Sequence, residues 1–252
     1  MFDLSGRHAL VTGSNAGIGL AAASLLARHG AAVSLCARRL DKLADARATI
    51  ERAGGRAFAT AMDVSAPESI TTAVTASVTA LGPVDILVNN AGISLATSLV
   101  ETTTDDWDRL IDTNLRGAWL CAREVAQRAI RAERPAVIVN IASVLGIMTQ
   151  KGTGPYASSK AGLLHLTRVM ASEWARHRIR VNAIAPGYIT TDMAEDFLAT
   201  ERGRRLLAAI PQRRIGTVDD LAGALLLLCS DASAYMTGST ITVDGGITLG
   251  SN

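Results

Sequence analysis

The sequence predicts an α/β fold: a doubly wound sheet of seven mostly parallel strands with helices on both faces, forming one domain over residues 1–252. Two observations predict it. Seven short apolar runs alternate with segments of helical length, and several runs are too uniformly apolar for a strand with one wet face. The alternation also fills the whole chain, without a repeat, a low-complexity tract or a long linker.

The runs are His8–Val11, Ala32–Cys36, Ala57–Ala61, Ile86–Val88, Ala136–Asn140, Arg180–Ile184 and Thr240–Val243. After the first, Ile18 to His29 reads as a helix stopped by Gly30, and after the second, Asp41 to Ala53 reads as one stopped by Gly54. Pro67 opens a third helix, at a position where its fixed φ and missing N–H are tolerated. The connections over 104–134 and 155–178 are longer than one packing helix requires. Such surface suits a partner subunit, so an oligomer is expected. Residues 188–217 interrupt the alternation and predict a substrate lid.

Composition narrows the function. At 48% hydrophobic the chain has ample material for a core, and no stretch approaches the roughly 18 uninterrupted apolar residues of a membrane span. The first residues carry Asp3 and lack the apolar centre of a signal peptide, so a soluble, cytoplasmic protein is expected. A net charge of +2 offers no footprint for nucleic acid. Cys36, Cys121 and Cys229 are scattered and odd in number, which implies neither a disulfide framework nor a zinc site. His8, His29, His165 and His177 share no ligand spacing with them and read as structural or surface residues. Trp107, Trp119 and Trp174 read as packing groups. Arg128, Arg131, Arg134, Arg176 and Arg178 read as solvated helix ends, with a basic patch for an acidic carrier protein as the alternative.

Chemistry enters at Thr12-Gly13-Ser14-Asn15-Ala16-Gly17-Ile18-Gly19, where the first strand turns into a helix. Glycines let a backbone approach a pyrophosphate, and a helix start offers that anion free N–H groups and a positive dipole end. The spacing is G-x-x-x-G-x-G rather than G-x-G-x-x-G. An acid about 20 residues on would hold the ribose 2′-OH of NAD, whereas an arginine accommodates the 2′-phosphate of NADP. The second strand here ends in Arg38-Arg39, with no acid before Asp41, which favours NADP(H) over NAD(H).

Tyr156-Ala157-Ser158-Ser159-Lys160 places a phenol and an ammonium on one helix face. A tyrosine of ordinary pKa, about 10, is a poor base at neutral pH, and a neighbouring cation is expected to pull it down. With three tyrosines and three lysines in the chain, chance pairing at this spacing is a poor explanation. Thirteen residues upstream, Ser143 follows an apolar run and belongs at a strand's carboxyl end, where open α/β sheets bind ligands.

In these motifs the sequence resembles the short-chain dehydrogenases/reductases, and the likeness covers essentially the whole chain. The phosphate turn matches Thr12 to Gly19, an acid beside the adenine matches Asp63 in Met62-Asp63-Val64, and N-N-A-G is complete at Asn89 to Gly92. The family's catalytic asparagine falls on Asn114, its P-G on Pro186-Gly187, and its nicotinamide-contacting threonine on Thr191. The resemblance implies a Rossmann-type domain, commonly a homotetramer, interconverting a carbonyl and a secondary alcohol. It makes Asn114, Ser143, Tyr156 and Lys160 catalytic: tyrosine the proton donor or acceptor, lysine its tuner and ribose ligand, serine the holder of the substrate oxygen, asparagine the holder of a relay water.

For the cofactor the resemblance implies Gly13, Ser14, Asn15, Gly17, Ile18, Gly19, Arg38, Arg39, Asp63, Val64, Asn90, Ala91, Gly92, Pro186, Gly187, Ile189 and Thr191, with Tyr156 and Lys160. Residues placed beside these, Ile93, Ser94, Val144, Gln150 and Tyr188, are expected with Ser143 and Tyr156 around the substrate. NADP-preferring relatives often carry a basic residue before the second glycine of the turn. Here it is Ala16, so a 2′-phosphate would fall to Arg38 and Arg39 alone. Among family activities the pattern looks most like 3-oxoacyl-[acyl-carrier-protein] reductases, with an acyl-carrier protein then a partner; NAD-dependent polyol, sugar or secondary-alcohol dehydrogenases are the alternative. A regulator that binds dinucleotide without catalysis is the rival of another class, and it has no need of the four catalytic residues together.

Overall fold

A computed structural model describes residues 2–190 and 200–250, apart from the side chain of Arg202. The sheet has seven strands: β1 (His8–Thr12), β2 (Ala32–Ala37), β3 (Arg56–Ala61), β4 (Ile86–Asn89), β5 (Ala136–Ile141), β6 (Ile179–Pro186) and β7 (Thr240–Val243). Their order is β3-β2-β1-β4-β5-β6-β7, and every neighbouring pair is parallel. The sequence predicts a mostly parallel sheet; the observed one has no antiparallel edge. The order reverses between β1 and β4, which opens a crevice above the carboxyl ends of those strands.

Period-2 alternation divides each strand between two cores. Ala9, Val11, Ile86, Val88, Val137, Val139 and Ile141 face α1 (Gly17–Arg28), α2 (Leu40–Arg52) and, near the C-terminus, Ala222–Cys229. Leu10, Leu87, Ala136 and Ile138 face α3 (Pro67–Leu81) and the helix Gly117–Arg131. Both faces being covered explains why the runs read as continuously apolar. The predicted helices start and stop within a residue of those observed, and Gly30 and Gly54 take the left-handed φ values (96° and 82°) that end them.

The long connection over 104–134 resolves into α4 (Thr104–Ile111) and α5 (Gly117–Arg131), joined through one π-helical stretch, Asp112–Arg116. The other contains α6 (Gly154–Trp174), 21 residues or about 30 Å long. Within the interruption at 188–217, the described part holds α7 (Glu201–Ala209) and a parallel bridge from Ile189 to Gly216. The helix Ala222–Cys229 is α8. No helix among the described residues is long and apolar enough to cross a membrane, and no group of three or more His, Cys, Asp or Glu among them could hold a metal ion.

A buried polar chain locks the layers together. Asn89 and Asn140 are register partners on β4 and β5. Asn89 Nδ2 donates to Ala118 O (3.0 Å) and to Asn140 Oδ1 (2.9 Å); Asn140 Nδ2 donates to Thr167 Oγ1 (2.9 Å). Both crossover helices, α5 and α6, are thereby fixed against the strand ends that lead into the crevice. His8 is structural, with Nδ1 against Gly82 O (2.7 Å) and Nε2 against Ser34 Oγ (2.8 Å). Four of the five arginines read as solvated helix ends have protein partners: Arg128 pairs with Glu124 (2.7 Å) and Arg134 with Asp85 (2.8 Å), Arg178 donates to Glu133 O, and Arg176 Nε donates to His177 Nε2 (3.1 Å).

Candidate active site

The phosphate turn is held rigid by its neighbour across the sheet. Thr12 Oγ1 accepts from the backbone N–H groups of Asn90 and Ala91, both at 3.0 Å, while Asn90 Nδ2 donates to Thr12 O and Gly13 O, both at 3.1 Å. Gly13 takes φ +65°, and a Cβ on Gly19 would lie 2.3 Å from Gly13 O and 2.4 Å from Asn90 Nδ2. Only glycine fits there. The start of α1 has no side-chain cap and no acid in its first turn, whereas α4 and α7 are capped by Thr103 and Thr200. Uncapped N–H groups over an exposed Ala16-Gly17 leave the residues fitted to a pyrophosphate. Ser14 is turned away from the crevice: its Oγ accepts from Cys36 N at 2.9 Å and clips the turn to β2.

At the end of β2, Arg38 and Arg39 are exposed and make no side-chain hydrogen bond or ion pair among the described residues. Asp63 Oδ1 accepts from Ser65 N (2.9 Å) and Ser65 Oγ (2.7 Å). These bonds, and in smaller part the Arg38 charge, hold its carboxyl below the usual range. Val64 buries its side chain in the core beneath α3 and α5. At the far side of the crevice, Gly187 backs so closely on Asp244 that a Cβ would lie 2.7 Å from its Cα, and Ile189 packs against the α8 side of the core. Thr191 lies outside the described residues.

Four side chains converge beside the turn. Ser143 follows β5 and its Oγ accepts from Leu145 N (3.1 Å), opening the short turn Val144–Gly146. A Cβ on Gly146 would lie 2.8 Å from the Lys160 carbonyl carbon, so that turn sits directly on the backbone of α6. Asn114, buried in the π-helical stretch, is held at both ends of its carboxamide: Oδ1 accepts from Ile93 N (2.8 Å), and Nδ2 donates to Ile93 O (2.8 Å) and Ser159 Oγ (3.2 Å). Ser159 in turn donates to Tyr156 O (2.7 Å). Lys160 is 4% exposed, donates from Nζ to Ile141 O (2.8 Å) and lies 5.7 Å from the Tyr156 ring centre. A Cβ on Gly92 would be 3.2 Å from Asn114 Oδ1 and 3.7 Å from Lys160 Nζ, which places N-N-A-G at the same corner.

The electrostatics differ from the sequence expectation. Burial brings the Lys160 ammonium down to about 8. Burial also pushes the Tyr156 phenol up, and the group working against that is the Ser143 hydroxyl rather than the lysine. Lys160 Nζ is directed at the Ile141 carbonyl rather than at the phenol. The corner therefore holds a neutral phenol, a proton donor, beside a cation of reduced basicity.

Tyr188 donates from its hydroxyl to Gln150 Oε1 (2.5 Å) and packs with Val144, Met148, Leu206 and Ile210. The predicted substrate residues Val144, Gln150 and Tyr188 are thus brought together. Sequence reasoning missed Ser159, Gly146, the Ile141 carbonyl and the Asn89–Asn140–Thr167 chain. Only Ser159 had a readable signal, its place between the tyrosine and the lysine.

A nucleotide cradle at the switch point of a parallel sheet, with a phenol, an ammonium and a hydroxyl beside it, defines a dinucleotide-dependent oxidoreductase. A family model described as enoyl-(acyl carrier protein) reductase matches residues 13–248. A gluconate 5-dehydrogenase of Gluconobacter oxydans is 40% identical over 99% of this chain and 97% of its own. A 3-oxoacyl-[acyl-carrier-protein] reductase of Synechocystis is 37% identical over 99% and 100%. The crystal structure of a gluconate 5-dehydrogenase from Burkholderia cenocepacia in complex with NADP and tartrate superposes with a TM-score of 0.93, at 36% identity over 98% of this chain and 97% of that one. The chain belongs to the short-chain dehydrogenase/reductase family and is an oxidoreductase acting on carbonyl or CH–OH groups.

Proposed function

We propose that the protein interconverts a ketone and a secondary alcohol with NADP(H). The observation that carries this is the convergence of Tyr156, Ser143, Lys160 and Asn114 beside an uncapped glycine turn, with Arg38 and Arg39 unengaged at the end of β2. The bound cofactor supplies the hydride to the carbonyl carbon and is oxidised as the carbonyl is reduced. Asn15, Gly17, Ile18 and Gly19 take its pyrophosphate through backbone N–H groups, with Gly13, whose N–H donates to Cys36 O (2.7 Å), and Ser14 holding the turn in shape. Arg38, helped by Arg39, takes the 2′-phosphate, and Asp63 and Val64 border the adenine. Asn90, Ala91, Gly92, Pro186, Gly187, Ile189 and Thr191 line the remainder of the cofactor's path.

In reduction Tyr156 gives its phenolic proton to the substrate oxygen as the hydride arrives; in oxidation it takes that proton back. Ser143 holds the same oxygen. Lys160 restores the tyrosine's proton and hydrogen-bonds the ribose, and Asn114 fixes a water that connects Lys160 to solvent. A homotetramer is the assembly we expect, on the length of α5 and α6.

The names of the relatives divide between a sugar-acid dehydrogenase and acyl-carrier-protein reductases. NADP is named with the neighbouring gluconate 5-dehydrogenase structure, which favours NADP whichever substrate applies. Side-by-side fluorescence titration of NADPH and NADH tests the reading. NADPH preference that disappears in Arg38→Ala is expected; equal affinities, unchanged by that substitution, would overturn the 2′-phosphate assignment.

A further inference from the structure

The loop between the Ser143 turn and α6 carries a polar feature that the proton-transfer chemistry does not use. Gln150 is half-buried among apolar neighbours, and its carboxamide oxygen is taken by the Tyr188 hydroxyl at 2.5 Å. The bond crosses the site, because Tyr188 follows β6 whereas Gln150 precedes the helix bearing Tyr156. Around Tyr188 lie Val144, Met148, Leu206 and Ile210, so the pair is a polar spot on an apolar wall that includes the residue after Ser143.

The loop is fixed before any ligand arrives. Thr153 Oγ1 donates to Gln150 O (2.8 Å), Thr97 N donates to Gly152 O (3.0 Å), and Gly152 takes the left-handed φ of +76° that the bend requires. With Oε1 occupied, the Gln150 Nε2 hydrogens are the donors left, and they have no partner among the described residues. Lys151, the next residue, is exposed and forms no ion pair among them. It is one of only three lysines in the chain.

We propose that Gln150, oriented by Tyr188, and Lys151 select a polyhydroxy carboxylic acid as the substrate: the carboxamide N–H groups take a hydroxyl of its chain, and the ammonium takes its carboxylate. The inference rests on the oxidoreductase reading above and narrows it. An acyl chain lying against this spot would bury the carboxamide donors without a partner, which is unfavourable. A substrate hydroxyl satisfies them. Sites built to hydrogen-bond a substrate hydroxyl reject analogues lacking it far more strongly than apolar pockets reject an extra group.

The test compares three alcohols oxidised by the full-length enzyme with NADP: D-gluconate, its neutral counterpart sorbitol, and cyclohexanol. The wild type is expected to favour gluconate. Tyr188→Phe and Gln150→Leu should each lower the gluconate-to-cyclohexanol ratio of kcat/KM at least tenfold. Lys151→Ala should lower the gluconate-to-sorbitol ratio, through KM and in a salt-dependent way. Equal losses on all three substrates would mean a merely structural bond and would overturn the proposal, as would a wild type that prefers cyclohexanol or a 3-oxoacyl thioester. In those cases turnover dependent on Tyr156 leaves the oxidoreductase reading standing. Absence of turnover on every substrate, together with absence of NADPH binding, would overturn both.

Discussion

The two corners of the crevice are built by opposite means. At the catalytic corner the polar groups around Tyr156 are tied to the protein: Asn114 is held at both ends of its carboxamide, Lys160 holds Ile141 O, and Ser143 caps the turn that sits on α6. At the outer corner of the crevice Arg38 and Arg39 are exposed and form no side-chain hydrogen bond or ion pair among the described residues. Groups that handle protons must be within a few tenths of an ångström before the substrate arrives, so the fold spends buried hydrogen bonds on them. Groups that recognise a dianionic phosphate can be ordered by the ligand itself, since a guanidinium fork finds its own geometry. Substitutions at the first corner should therefore abolish rate, and at the second only redistribute affinity.

The largest effect should come from Tyr156→Phe, which removes the transferable proton and keeps the ring. A loss of about 10²–10⁴ in kcat, with NADPH affinity nearly unchanged, is expected from single-turnover and binding measurements. Activity equal to wild type would show that the proton comes from elsewhere. The pH profile of carbonyl reduction sharpens the same contrast. The raised Tyr156 keeps its proton throughout the neutral range, so the first loss on raising pH belongs to Lys160, whose ammonium disappears through about 8. The kcat/KM for reduction should be flat below that value and fall above it. A profile flat up to pH 10 would refute the assignment.

Next in size is Gly19→Ala. The added methyl would meet the Gly13 carbonyl and the Asn90 amide, both part of the locked turn. Overpacking of this kind costs about 1–3 kcal/mol, and here it displaces the amides that face the pyrophosphate. NADPH and NADH binding should weaken together. The uniform loss distinguishes this turn from Arg38, where Arg38→Ala should weaken NADPH by about tenfold or more, the worth of a charge-assisted hydrogen bond, and leave NADH almost untouched. Isothermal titration with both cofactors reads the difference directly.

How much of this was legible in the sequence follows the same division. Apolar runs disclosed the sheet because burial on both faces leaves no polar alternation to confuse with a helix, and Gly30 and Gly54 marked helix ends by a conformation few other residues adopt. Tyr156 and Lys160 were readable because their spacing is itself the geometry of a helix face. The π-helical stretch at Asp112–Arg116 was not: Asp112, Thr113 and Asn114 are weak helix formers, but low propensity does not disclose an extra residue in the turn, where Asn114 bonds Ile93 and Ser159. The direction of the tyrosine's shift was misjudged for a related reason. Adjacency in sequence discloses that a charge is near, but not how deeply the phenol itself is buried.

Ser159 is where the two kinds of construction meet, and it carries the smallest expected effect. Its hydroxyl accepts from Asn114 Nδ2 and donates to Tyr156 O, joining Asn114 to the first turn of the helix that carries the phenol. Neither bond touches substrate, so Ser159 is a positioning residue. Ser159→Ala removes one neutral hydrogen bond at each end, worth about 0.5–1.5 kcal/mol, while Ile93 still holds both ends of the Asn114 carboxamide. The rate should fall by about two- to tenfold, with cofactor affinity and thermal midpoint little changed. The pH at which reduction declines should move, because the relay that sets the proton supply to Lys160 has loosened. A drop in midpoint with an unmoved pH profile would make Ser159 a packing residue only, and the catalytic corner would then be ordered by Ile93 alone.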